Sequence, residues 1–320
     1  FERGCYHTGQ HDTGQHDTHT NGVKLSATAD WMTMHTTVSS ADKTLTIGSD
    51  QPFCIIGERI NPTGRKTFQE QLRSGDLSAV EKDVADQIAG GAMMLDVNMG
   101  APLVDEAALL AEAVRLIQRL TDVPLCIDSS IVEALEAGLA AYEGKALVNS
   151  VTAEDERMEM ILPLVKKYGA AVIALPNDDK EIPEDPQRRF ELTEYIVDKA
   201  TGTYGIPIED IVIDPLAMPI GADSQMVVRT LETIHLIADR IGVNMTLGAS
   251  NVSFGMPDRH TLNSVFLPMA MGAGLTSAIM DARTPSIVTA VKAGDLMLGN
   301  DEWGMAWISA HRAREAAQGT

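Results

Sequence analysis

Eight short apolar runs alternate with eight helical stretches between residue 53 and the C-terminus, and several of the runs end in polar residues. This alternation constrains the fold more than any other feature. Strands separated by helices pair in parallel, and parallel strands buried on both faces read as near-continuous apolar runs. Strand candidates cover 53–59, 93–98, 125–128, 146–151, 170–175, 211–214, 245–248 and 277–280. Helical stretches fall near 78–89, 105–120, 131–142, 154–168, 186–204, 224–241, 262–271 and 285–297. Within the second, Ala108, Leu109, Ala113, Leu116, Ile117 and Leu120 recur at three-to-four spacing, which makes one buried stripe. Thr152 is the expected cap of the fourth, and Gly169 its stop. Eight such units in roughly 250 residues predict an α/β chain closed as a (β/α)8 TIM barrel. An open doubly wound sheet is the alternative, but no GxGxxG turn follows the first strand.

In such a barrel, ligand-binding groups collect where the strands end. The runs here close in Cys126-Ile127-Asp128-Ser129, Leu147-Val148-Asn149-Ser150, Ile213-Asp214-Pro215 and Gly248-Ala249-Ser250-Asn251-Val252-Ser253. Neutral and acidic hydrogen-bonding groups with few cations suit a flat, uncharged, nitrogen-rich ligand and suit a phosphate poorly. The whole chain agrees. Its 25 Lys and Arg stand against 45 Asp and Glu, a formal charge of −20, which argues against nucleic acid or an anionic membrane as partner.

Residues 1–43 read differently, as a disordered, His-rich leader and N-terminal arm ahead of a barrel over 44–320. His7, His11, His16 and His19 lie in it, two of them inside a repeated Thr-Gly-Gln-His-Asp. Cys54 and Cys126 sit in predicted strands and read as packed small hydrophobes of a reducing compartment, so a cytoplasmic location is expected. No zinc-type Cys/His spacing occurs in the body of the chain, and no metal site is expected there. The apolar stretch 265–280, broken by Pro268, Gly272 and Gly274, reads as a helix followed by a buried strand, too short to span a membrane. Met93, Met94, Met269 and Met271 read as core fillers.

Six motifs, each at a predicted strand end, carry a resemblance over about seven-tenths of the chain. They are Gly57-Glu58-Arg59-Ile60-Asn61, Leu95-Asp96-Val97-Asn98, Cys126-Ile127-Asp128-Ser129, Val148-Asn149-Ser150, Ile213-Asp214-Pro215-Leu216 and Ser250-Asn251-Val252-Ser253, with Arg259 eight residues beyond Asn251. Together they resemble the pterin-binding barrels. Within these, the chain is most similar to methyltetrahydrofolate:corrinoid-protein methyltransferases and the folate module of cobalamin-dependent methionine synthase. The resemblance implies 5-methyltetrahydrofolate as substrate and a corrinoid (cobalamin) supplied by a partner protein, with the barrel itself a homodimer. It implies that Asp128, Asn149 and Asp214 hold the pterin edge, and that Asn251 lies beside N5 as the catalytic group. Glu58, Asn61 and Arg259 would complete the rim near the ring or the glutamyl tail, with Asp96, Gly248 and Ser250 also in the site.

Structural roles stand open beside these. Asp214 shapes a turn before Pro215 equally well, Ser129 and Ser150 suit helix caps, and 96–100 suits a loop entry that satisfies its own backbone. Of Glu58 and Arg59, neighbours on one strand, one is expected in the site and the other in an ion pair. Phe254, where the iron–sulfur corrinoid-protein enzymes have Gln, is expected to pack on a ring. Dihydropteroate synthase shares the barrel, but its leaving diphosphate needs cations that 214–221 and 249–253 lack. A folate-binding or docking protein without turnover is the third reading.

Overall fold

The computed structural model describes residues 34–180 and 182–318, so the four leader histidines fall outside it. The chain opens with an antiparallel hairpin, β1 (Thr36–Ser39) and β2 (Thr44–Ile47). The boundary expected at 44 falls inside it. Seven parallel strands follow: β3 (Cys54–Ile60), β4 (Met94–Val97), β5 (Leu125–Asp128), β6 (Leu147–Thr152), β7 (Ala171–Leu175), β8 (Ile211–Ile213) and β9 (Ser277–Met280). Their order is β8-β7-β6-β5-β4-β3-β9.

The expected strand at 245–248 forms isolated bridges instead of a regular strand. Met245 pairs with Ile213 on one side, and Gly248 with Ile279 on the other. Thr246 N–H donates to the Ile213 carbonyl at 2.9 Å, while the Met245 and Leu247 carbonyls accept from Ser277 and Ile279 at 3.0 and 2.8 Å. These bonds join β8 to β9 through an eighth segment and close the (β/α)8 barrel. The segment is irregular because the chain leaves at Gly248 for a 3-10 turn over Ala249–Ser253.

Around it lie α1 (Lys66–Arg73), α2 (Ser78–Gly90), α3 (Glu106–Leu120), α4 (Val132–Ala141), α5 (Asp155–Tyr168), α6 (Pro186–Gly202), α7 (Met226–Arg240), α8 (Arg259–Ala273), α9 (Pro285–Leu298) and α10 (Met305–Gln318). α1 and α10 were not expected, and both have weak burial signals. α1 buries only Phe68 and Leu72, and no residue of α10 over 305–316 is buried. Asp105 caps α3, accepting from Ala108 N–H at 3.1 Å. The residue at the cap of α5 is Glu154, not Thr152, whose hydroxyl instead donates to the Glu154 carboxylate at 3.1 Å. Gly169 ends that helix at φ 61°, where a Cβ would be strained. Met94 and Met271 are buried as core fillers, but Met269 is 49% exposed and does not fill the core. No helix among the described residues is long and apolar enough to cross a membrane.

Two cores result from the period-two alternation of side chains along each strand. Ile55, Leu95, Leu125, Ile127, Val148, Val172 and Ile213 point outward beneath the helices. Cys54, Ile56, Met94, Cys126, Leu147, Ala171, Ile173 and Val212 fill the lumen. The same inner cluster contains Val38, Leu45 and Ile47 of the hairpin, which therefore seals the N-terminal end of the barrel. One polar residue fixes that seal. Asn244, 2% exposed, places its Nδ2 3.0 Å from the Met34 carbonyl, the Thr36 hydroxyl and the Ile47 carbonyl. Removing it orphans buried acceptors, so Asn244→Ala should cost about 2–3 kcal/mol in chemical denaturation. A loss below about 0.5 kcal/mol would show that apolar contacts alone hold the hairpin.

Candidate active site at the barrel mouth

Continuing the lumen-facing alternation two residues further along each strand reaches the mouth. Ile56 leads to Glu58, Met94 to Asp96, Cys126 to Asp128, Leu147 to Asn149, and Val212 to Asp214. On the eighth segment Gly248 takes the corresponding place. The strand-end residues singled out by their types are thus brought to one layer by strand geometry. Two register shifts occur at this height, between Gly57 and Ile60 of β3 and between Asn149 and Val151 of β6. Bulges at a barrel rim re-aim side chains, and these two flank Glu58 and Asn149.

Hydrogen bonds fix the layer. Asn98 Nδ2 donates to Asp128 Oδ2 at 2.9 Å, while its Oδ1 accepts from Gly100 N–H at 2.8 Å. The loop entry therefore satisfies its own backbone and also orients Asp128. Asn149 Nδ2 donates to Asp96 Oδ1 at 3.1 Å, which turns its carbonyl oxygen away from that carboxylate. Burial pushes the Asp96 carboxyl up, against hydrogen bonds from Asn149 and Cys126. Asp128 is pushed up further, by burial and then by the neighbouring Asp96 charge. Ser129 does not cap α4. Its hydroxyl donates to Glu106 and accepts from Ile131 N–H at 3.0 Å.

Asp214 both shapes a turn and faces the lumen. Its Oδ1 accepts from Leu216 N–H at 2.8 Å, and Oδ2 makes no hydrogen bond to the protein among the described residues. Beneath that turn lies Arg189, fully buried, donating to the carbonyls of Pro183, Pro215 and Leu216 at 2.7, 3.0 and 2.9 Å. The signal for it was present in the sequence. Arg189, Thr193, Ile196 and Ala200 form the buried stripe of α6, with an arginine where an apolar residue is the norm.

Across the mouth, the 3-10 turn carries Asn251. A Cβ on Gly248 would stand 3.0 Å from Asn251 Nδ2, so the missing side chain makes room for that amide. The Asn251 amide makes no hydrogen bond to the protein among the described residues. Ser250 Oγ lies 3.1 and 3.3 Å from the two Glu58 oxygens. Arg259 is the first residue of α8, and its guanidinium holds the turn: Nη2 to the Ser250 carbonyl at 2.7 Å, Nε to Ser253 Oγ at 3.1 Å. Phe254, 67% exposed, lies under the same guanidinium at 5.7 Å. Asn61 uses its Oδ1 on Thr63 N–H at 2.9 Å. Arg59 Nε stands 3.9 Å from an Asp281 oxygen, while its neighbour Glu58 meets Ser250 instead.

The Asp214 carboxyl is pushed up to about 6 by burial, against the Leu216 N–H and the Arg189 charge, from an ordinary 3.8. Between those values the folded protein keeps a proton that the unfolded chain has lost, so stability falls as pH rises through the window. Asp214→Asn keeps an acceptor for Leu216 and cannot ionise. It should raise stability at pH 7 by about 1–2 kcal/mol and flatten the slope between pH ~4 and ~6 in denaturation series. An unchanged slope would show that the carboxylate is well solvated.

The sequence matches the pterin binding enzyme family over residues 57–281. It is 32% identical to a methionine synthase of Mycobacterium tuberculosis over 257 residues, which cover 77% of this chain and 22% of that protein. The chain thus spans about a fifth of that relative. It is 30% identical to a methylcorrinoid:tetrahydrofolate methyltransferase of Eubacterium limosum, covering 77% of this chain and 92% of that one. Among solved structures, dihydropteroate synthase of Xanthomonas albilineans superposes with a TM-score of 0.64 at 18% identity, over 82% of this chain and 98% of that one. The Yersinia pestis enzyme gives 0.60 at 15% identity, over 82% and 99%. These last likenesses concern the fold. By its sequence match and its barrel, the chain belongs to the family of pterin binding enzymes.

Proposed function

We propose that the protein moves the N5-methyl group between 5-methyltetrahydrofolate and the cobalt of a corrinoid (cobalamin) carried on a separate corrinoid protein. The observation that carries this reading is the pairing of an acidic, amide-rich lumen layer with the uncommitted Asn251 amide over Gly248. A reduced pterin presents an exocyclic amine and adjacent ring N–H groups to such acceptors. Asp214 keeps its Oδ2 for a charge-assisted contact, and Asp128 and Asn149 take the remaining edge. The Asn251 carbonyl oxygen is suited to accept from a protonated N5, stabilising the charge that makes the nitrogen a competent leaving group. Glu58, Asn61, Asp96, Ser250 and Arg259 support this set, Arg259 by bracing the turn. The names of the Eubacterium limosum and Mycobacterium tuberculosis relatives support the same chemistry.

The test mixes 5-methyltetrahydrofolate with cob(I)alamin and follows methylcobalamin by absorbance. Asn251→Ala should lose about 10²-fold or more in rate with the fold intact by circular dichroism. Undiminished turnover in that variant would remove Asn251 from the mechanism. No transfer by the intact protein, with tight folate binding, would favour a docking role.

We further propose a homodimer in the cytoplasm, where the buried free thiols Cys54 and Cys126 stay reduced. Exposed apolar side chains that support a second copy are Val265 and Met269 on α8, Met297 on α9, Trp303 in the 3-10 turn Glu302–Gly304 and Met305 at the start of α10, which stand 58, 49, 85, 86 and 62% exposed. Sedimentation should give a dimer for the native chain and a monomer for Trp303→Glu. A monomeric native chain would end that assignment.

A further inference from the structure

Breaking the methyl–N5 bond leaves an electron pair on N5 that must take up a proton, and Asn251, a neutral amide, has none to give. The mouth offers several carboxyls, but they are differently engaged. Asp128 is held by Asn98, Asp96 by Asn149, and Asp214 by Leu216 N–H. Glu58 alone among them is bonded to the turn that carries Asn251. Ser250, the residue before Asn251, places its hydroxyl within 3.1 and 3.3 Å of both Glu58 oxygens. The turn is kept in place by Arg259 on the Ser250 carbonyl and by Asn251 N–H on the Gly248 carbonyl at 3.1 Å.

We propose that Glu58 is the proton reservoir for N5, acting through the Ser250 hydroxyl. This rests on the methyl-transfer reading above. In the direction from folate to corrinoid, protonated Glu58 donates to Ser250 Oγ, and the Ser250 hydroxyl passes its own proton toward N5. The cobalt(I) electron pair forms the bond to the methyl carbon. The carbon–N5 bond breaks with its pair going to N5, which gains the proton, and Glu58 is left as carboxylate. The products are tetrahydrofolate and a methylcorrinoid with cobalt formally oxidised by two electrons. In the reverse direction the Glu58 carboxylate takes the proton back.

The surroundings favour this use. Burial raises the Glu58 carboxyl, opposed first by the Ser250 hydrogen bond. Asp281, beyond β9, raises it too, while Arg59 on its own strand and Arg259 on α8 lower it. From β4, Asp96 faces the same layer. An acid shifted upward in this way holds its proton closer to neutrality than a solvated glutamate does.

The experiment measures transfer from 5-methyltetrahydrofolate to cob(I)alamin across pH, in the native chain, Glu58→Gln and Ser250→Ala, with folate binding measured by calorimetry alongside. In the native chain the rate should decline as pH rises through the Glu58 titration. Glu58→Gln should lower the rate at saturating folate by about 10²-fold and flatten that decline, with folate affinity within about threefold. Ser250→Ala should do likewise with the carboxyl in place. Native rate and profile in Glu58→Gln would overturn the proposal while leaving methyl transfer standing. So would weakened folate binding with an unchanged saturated rate, which would make Glu58 a binding group. No transfer by the native chain would overturn both readings.

Discussion

The architecture of the mouth depends on the alternation of side chains along strands that close into a barrel. Once parallel strands are joined edge to edge, every second residue enters a lumen that must be filled. Here the lower lumen takes Ile, Val, Leu, Met, Ala and Cys, and the layer above takes Glu58, Asp96, Asp128, Asn149 and Asp214. No loop rearrangement is needed to gather these groups. The closing segment at 245–248 is the weakest part of the circle, bonded to each neighbour at only one or two positions. It is also where the chain departs for the Asn251 turn, so regular pairing is given up where the Asn251 amide is set over Gly248.

The polar layer is costly to bury and is supported from beneath. Several carboxyls share it, and burial disfavours their ionised forms. Amides, hydroxyls and backbone N–H groups do most of the compensating. Of the nearby cations, Arg189 spends its donors on carbonyls behind Asp214, and Arg259 on the Asn251 turn. Such a layer is a hydrogen-bonding template with acceptors in excess. Under the proposed function it would select a ligand by its N–H pattern, the opposite bias from a diphosphate-binding site.

Much of this was readable in the chain. Apolar runs ending in Asp or Asn marked both the strands and the heights at which the lumen turns polar, and seven of eight runs form regular strands. What escaped has physical reasons. α1 and α10 bury too little to leave a periodic pattern, and the hairpin's two four-residue strands gain their meaning only from the barrel they seal. Arg259 was expected at the rim from the resemblance alone; its partners, the Ser250 carbonyl and the Ser253 hydroxyl, are oxygens that no residue type announces. Arg189 was visible as a charge in an apolar stripe, and Asn98 as a neighbour of Asp96, but the bonds that give them roles span 26 and 30 residues.

The hairpin plug has a further consequence. With Val38, Leu45 and Ile47 packed into the strand starts, the lumen is a blind socket with a single opening. Whatever occupies it must enter and depart through the face that a protein partner would cover. With a corrinoid protein over that face, as proposed above, traffic would be sequential: the small molecule seats before the partner arrives and leaves after it departs.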